Sequence, residues 1–232
     1  MSKLKFIQDP NKELQEMLKA AVHFGHNKKK WNPKMRDFLF TTRRGVHIID
    51  LHQTITYLDE ALAYLNELAK QGKTILMVST KQQANPIVTK VAAETKMPFV
   101  TFKWIPGLLT NFGTVSQRIA KLKKLKQERD NGEFGKYTKK EAVKLHKLIL
   151  KLEEALGGVE DMAKRPDALF VVDVVRDAIA VKEARVLGIP VIGIIDSNSD
   201  PDTVDYAIPA NDDAIKSLEY LMGKVQEALT TK

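Results

Sequence analysis

Two aspartates, Asp173 and Asp196, stand at the ends of continuous apolar runs, Ala168–Val172 and Val191–Ile195. Carboxylates at strand ends are where open α/β sheets place acid–base chemistry. They are equally the residues that cap turns and helices. No paired motif accompanies them, so the capping reading is preferred and no catalytic residue is expected. Four histidines are spaced for possible metal ligation, His23 with His26 and His47 with His52. Without cysteine or a recognisable ligand pattern, the expectation is no metal. Neither GxGxxG nor GxxxxGK followed by Ser or Thr occurs, and the turn after Thr74–Val78 is Ser79-Thr80-Lys81, without glycine. A backbone lacking those glycines does not cradle a pyrophosphate, so no nucleotide cofactor is expected. GxSxG and HExxH are absent too.

A different chemistry is better represented. Lys28, Lys29, Lys30, Lys34 and Arg36 surround Trp31 and Asn32 in the string His26-Asn27 to Arg36, and Arg43 and Arg44 follow closely. Cations reach phosphates, and an aromatic among them can stack on an unpaired base. The alternative for Trp31 is packing on the core beneath. Lys103, Trp104, Asn111 and Thr114 flank a Pro-Gly turn, with Arg118 and Lys121 just beyond. Thr114 has a second reading, as the cap of a helix. These residues form the expected RNA-binding set.

Charge supports that set. The formal charge of the 232-residue chain is +8. Residues 1–50 carry 11 Lys+Arg against 5 Asp+Glu, and residues 118–151 carry 12 against 4. Residues 152–232 reverse the balance, with 8 against 16. Segregation of this kind points to a polyanionic partner for the first two-thirds. Hydrophobic content of 44% is that of a globular chain. No apolar run spans a bilayer, and the stretch 1–10 lacks an apolar leader core, so a cytoplasmic protein away from membranes is expected.

The elements that must position these groups follow from hydropathy. Asp9-Pro10 starts a helix with an apolar stripe at Leu14, Met17, Leu18, Ala21 and Val22, closed by Gly25. Residues 26–36 lack periodicity and read as a loop. Short strands are expected at Phe38–Thr41 and His47–Asp50, then a helix from His52 to Gly72. Apolar strands at Thr74–Val78, Phe99–Phe102, Ala168–Val172, Val191–Ile195 and Tyr206–Ile208 alternate with helices. One spans about 81–96, kinked or restarted at Asn85-Pro86; one spans about 177–187; and one is capped by Asn211, with Ile215, Leu218, Met222, Val225 and Leu229 on its buried face. Strands apolar throughout imply a parallel sheet covered on both faces, hence a doubly wound α/β fold. Two further stripes interrupt it: Val115, Ile119, Leu122, Leu125 and Leu145, Ile149, Leu152, Leu156. Joined by DNGEFGKY, they predict an antiparallel helical hairpin, a coiled coil, inserted at 113–156 between core segments 1–112 and 157–232. Its remaining faces are rich in lysine.

The strings HFGHNKKKWNPKM (23–35), GVHIIDLHQT (45–54), LLTNFGTV (108–115) and the long run from Pro166 to Ile215 closely resemble the bacterial family of ribosomal protein S-two. The likeness runs from about residue 9 to residue 228. It implies a flavodoxin- or Rossmann-like core carrying a helical hairpin. It also implies a non-catalytic constituent at the boundary of head and body of the small subunit. The implied partners are small-subunit rRNA and neighbouring ribosomal proteins, including the large mRNA-binding protein S-one, and not a second copy of the chain. By motif, the implied RNA contacts are 26–36, Arg43, Arg44 and the stretch from Trp104 to Thr114. The chain departs from the family at Ser79 and Pro106, where glycines are usual. The acidic final third is expected to face away from RNA.

Overall fold

A computed structural model describes residues 6, 7 and 9–231; part of the 1–10 stretch read above therefore lies outside the described residues. Helix α1 (Pro10–Lys19) is capped by Asp9, whose carboxylate accepts from the amides of Asn11 and Lys12. It stops six residues short of Gly25. Ala21 takes a left-handed φ of 62°, which turns the chain away and leaves Leu18 53% exposed. The continuation of the apolar stripe into Ala21 and Val22 is thus not helical: Val22 is buried beyond the helix end.

The stretch expected to be a loop is ordered. Strand β1 (Phe24–Asn27) and a 3-10 helix (Pro33–Phe38) occupy it, and Asn32 caps the latter through its side chain. Strands β2 (Leu39–Arg43) and β3 (Val46–Ile49) form a hairpin. Arg44 (φ 51°) and Gly45 (φ 80°) supply the two left-handed residues that a tight, right-twisted two-residue turn requires. The three strands make an antiparallel sheet in the order β1-β3-β2.

Helix α2 (Leu51–Lys70) leads into β4 (Ile75–Val78), α3 (Asn85–Thr95) and β5 (Phe99–Val100). Of the two readings at Asn85-Pro86, the restart is the one observed, with Pro86 in the first turn, where its missing N–H costs nothing. Helices α4 (Phe112–Asp130) and α5 (Lys139–Leu156) follow, then β6 (Ala168–Val171), α6 (Ala178–Val186), β7 (Val191–Ile195), β8 (Tyr206–Pro209) and α7 (Ile215–Thr230). Asn211 accepts from the amides of Asp213 and Ala214, so it orders the turn before α7 rather than the helix itself. Ile215, expected in the buried face, is exposed.

The second sheet is parallel, in the order β5-β4-β6-β7-β8. Alternate residues of each central strand serve opposite faces. Ile75, Met77, Phe170, Ile192 and Ile194 pack with α2, α3 and α7. Leu76, Val78, Leu169, Val171 and Val191 belong to a second cluster with residues of α6, α4 and α5. Burial on both faces explains why these strands are apolar throughout. The fold is α/β, with helices covering a Rossmann-like parallel sheet. Val115, Ile119, Leu122, Leu125 and Ile149 all lie in the second cluster, so the stripes of α4 and α5 are buried together. No described helix is long and apolar enough to cross a membrane.

Candidate nucleic-acid interface and the charged cluster beneath it

The chain reverses direction in the sheet between β4 and β6, whose C-terminal ends form the crevice where open α/β sheets bind ligands. Lys81 occupies that crevice. Its ammonium lies 3.1 Å from Asp173, 2.8 Å from Asp212 and 2.7 Å from Asp213. His26 enters from β1, with Nδ1 3.0 Å from Asp196 and Nε2 3.2 Å from Asp213. Gly25 permits this approach: a Cβ there would meet Ser197 Oγ at 2.8 Å and Asp196 Oδ1 at 3.2 Å. Ser197 Oγ accepts from the His26 amide at 2.8 Å, and Ser197 O accepts from the Asn32 amide at 2.8 Å. The small sheet is therefore fastened to the C-terminal end of β7 in the large one.

Four carboxylates face two cations here, and the excess must be relieved. Asp196 raises the His26 imidazole pKa to about 8, chiefly by a hydrogen bond, despite partial burial. Burial pushes the Asp212 carboxyl up to about 7, helped by the neighbouring charges of Asp173 and Asp196. Its Oδ2 is buried without a hydrogen-bond partner among the described residues. Burial alone would lower Lys81, but the carboxylates, led by Asp212, outweigh it and hold the ammonium charged. Donor atoms of His26, Asp196, Asp212 and Asp213 all lie within 4.8 Å of one another, close enough to share a divalent cation. Asp173 also accepts from the amides of Val175 and Arg176, and Asp177 from the amide and hydroxyl of Thr80. Of the strand-end aspartates, Asp173 thus caps a turn and holds Lys81, and Asp196 holds His26. The sequence did not reveal this cluster, because its members come from five separate segments.

The expected RNA-binding residues fall into three groups. Lys28, Lys29, Lys30, Arg36, Arg43, Arg44, Lys103, Arg118 and Lys121 are exposed, and none has a carboxylate within 4 Å among the described residues. A second group is tied internally. His26 is held between Asp196 and Asp213; Asn27 accepts from the Lys29 amide; Asn32 caps the 3-10 helix; and Lys34 pairs with Asp200 and Asp202. Trp31 is half-buried, its ring centroid 5.1 Å from that of His47. The Thr114 hydroxyl donates to Asn111 Oδ1, and α4 begins at Phe112, so Thr114 does not cap it.

Trp104 is the third case and a correction. It is only 5% exposed, and its indole N–H donates to Glu183 at 3.1 Å. It offers no face to a base. Glu183, on α6, also accepts from the amides of Gly107, Leu109 and Thr110 and from the Thr110 hydroxyl. Burial pushes this carboxyl up, but the backbone donors of Thr110 and Gly107 and the indole reverse the shift to a net lowering. A single carboxylate folds the 104–110 turn that leads into α4.

The lysines of α4 and α5 divide in the same way. Lys123, Lys124 and Lys126 pair with Asp161, Glu128, and Glu153 with Glu160. Lys139, Lys140, Lys144, Lys147 and Lys151 are exposed without such partners among the described residues.

Comparison with known proteins decides the family. The profile described as Ribosomal protein S2 matches residues 17–231. The chain belongs to the ribosomal protein S2 family. It is 46% identical over 223 residues to the Small ribosomal subunit protein uS2 of Psychrobacter cryohalolentis, covering 96% of this chain and 84% of the relative. It is 47% identical over 214 residues to the protein of the same description from Parabacteroides distasonis, covering 92% and 77%. Membership in a family of structural ribosomal proteins sets aside catalysis by Asp173 or Asp196, in keeping with their ties to Lys81 and His26. The S2 resemblance read from the motifs is thereby confirmed. At its two departures, Ser79 is fully buried with a hydroxyl that has no hydrogen-bond partner among the described residues, and Gly107, after Pro106, has φ 89°.

Proposed function

We propose that the chain is a structural constituent of the small ribosomal subunit that binds small-subunit rRNA. The observation that carries this reading is the exposed, unpaired set Lys28, Lys29, Lys30, Arg36, Arg43 and Arg44, beside a cluster in which nearly every charge is paired. Unpaired surface cations self-repel and are well placed to release counterions from a polyanion. Lys103, Arg118 and Lys121 extend the surface toward α4, with Asn27, Trp31, Asn32, Asn111 and Thr114 as its structured frame. Helices α4 and α5 act as an antiparallel hairpin projecting from the core, inserted at 113–156, whose unpaired lysines meet RNA phosphates. The acidic C-terminal third faces neighbouring ribosomal proteins, including the large mRNA-binding protein S-one. The chain works in the cytoplasm, as one copy per subunit, and supports assembly and translation.

Sedimentation of the native protein tests the class. Co-migration with small subunits is the expected result, and a free soluble pool with none on subunits would overturn it. Crosslinking then separates RNA contact from docking on proteins alone. The expected crosslinks are to rRNA from residues 28–44.

A further inference from the structure

Helix α6 and the turn before it direct their two helical carboxylates inward. Glu183 accepts from donors of residues 104–110, and Asp177 is held by Thr80. Ala180, Val181 and Ala184 pack in the second cluster. The outer face is therefore apolar and cationic only. Val175, Ile179 and Val186 are 48%, 53% and 78% exposed. Arg176, Lys182 and Arg185 are exposed beside them. None of these cations has a carboxylate within 4 Å among the described residues, and the Arg176 guanidinium donates instead to the Thr80 hydroxyl.

The exposed residues form one line. The Asp177 amide donates to Asp173 O, so helical bonding begins ahead of α6 and carries Val175 with it. Val175, Ile179, Lys182 and Val186 follow one another at spacings of four, three and four. That spacing sets them along one face, about 17 Å long. It is the seam spacing of two packed helices. Helix α5 has the same spacing in Leu145, Ile149, Leu152 and Leu156, and there the stripe packs with that of α4. On α6 the seam is open to solvent. Its one polar member is Lys182, and a charge at a seam position costs stability but selects the partner.

The occupant follows from these groups. Branched aliphatic side chains give a base no ring to stack on, so RNA would leave the stripe wet. A second copy of the chain would set Lys182 and Arg185 against like charges. A helix with its own apolar stripe and carboxylates beside it satisfies both the aliphatic and the cationic groups.

We propose that α6 docks an amphipathic, acidic helix of a neighbouring protein along Val175, Ile179, Lys182 and Val186. This rests on the reading of the chain as a small-subunit constituent. It adds a protein-facing surface that is basic, within a final third that is acidic overall.

The test is photocrosslinking in assembled small subunits. The full chain carries Val186→p-benzoylphenylalanine, an apolar replacement at one end of the seam. Products are digested with ribonuclease or protease and identified by mass spectrometry. The expected product is a crosslink to one ribosomal protein, in a helical segment with apolar residues three and four apart and Asp or Glu among them. Adding Ile179→Asp, or Lys182→Glu/Arg185→Glu, should lower its yield by about tenfold or more, as loss of an interface anchor does. Ile179→Leu should keep the yield. Thermal midpoints should match throughout, since these side chains lie outside the core. A crosslink to rRNA, to a second copy or to a basic segment overturns the proposal. So does an unchanged yield in the charge-reversed chain, or no crosslink from subunits that contain the chain. Absence of the chain from small subunits overturns the small-subunit reading itself, and this inference with it.

Discussion

The strand-end cluster and the basic sheet lie side by side and use charge in opposite ways. At the strand ends, Lys81 and His26 meet four carboxylates at 2.7–3.2 Å. On the adjoining sheet and turn, Lys28, Lys29, Lys30, Arg43 and Arg44 meet none within 4 Å among the described residues. One region closes its charges on itself and ties two sheets together. The other leaves them open to solvent, without a carboxylate partner among the described residues. The difference lies in pairing rather than in the count of charges. It predicts a double dissociation: changes in the closed region cost stability, and changes in the open region cost RNA affinity.

Lys81→Met should have the largest effect on stability. It removes the cation from three carboxylates, two of them buried, and a stranded buried charge costs about 3–5 kcal/mol. Chemical denaturation should show this loss. A change below about 1 kcal/mol would mean that the cluster is not closed. Glu183→Gln comes next. An amide presents a donor to a nest of donors, so several of the five hydrogen bonds fail, at about 2–4 kcal/mol. The 104–110 turn should lose amide-exchange protection before the sheets do.

The third prediction concerns pH. Folded His26 holds its proton up to pH about 8, whereas the unfolded imidazole releases it near 6.5. Because the folded value is raised, this stabilisation is complete below pH 6.5 and is lost as pH rises through 8. The gap corresponds to about 2 kcal/mol. Asp212, raised to about 7, acts in the same direction over a lower range. Denaturation at pH 6 and pH 8.5 should show the fall, and His26→Gln should abolish its alkaline part. Smallest is Ser79→Ala, which removes a buried hydroxyl without a partner among the described residues and should stabilise by about 1 kcal/mol.

The closed and open regions were not equally legible in the sequence. The continuous apolar runs of β6 and β7 and the stripe of α2 announced a two-faced parallel sheet, because burial on both faces writes itself into every position. The open cations were legible as well, since a lysine run needs no partner to be seen. Strand β1 was not, because HFGHN is short, polar at its end and bent toward Ser197 rather than alternating. The closed cluster was missed because pairing is tertiary: His26, Lys81, Asp173, Asp196 and the Asp212–Asp213 pair share no local spacing. Trp104 was misread for the same reason. Its partner Glu183 lies 79 residues away, and only the fold brings the carboxylate under the turn.

The most direct measurement is a pair of titrations on Lys28→Glu/Lys29→Glu/Lys30→Glu: unfolding by denaturant, and rRNA binding across salt concentrations. The open-surface account predicts a stability change within about 0.5 kcal/mol, as for substitutions away from packed or paired groups. It also predicts weaker binding, with a log–log salt slope flatter by about 2, from loss of three phosphate contacts at roughly 0.7 each. A large stability loss, or an rRNA affinity and salt slope equal to those of the wild type, would contradict it.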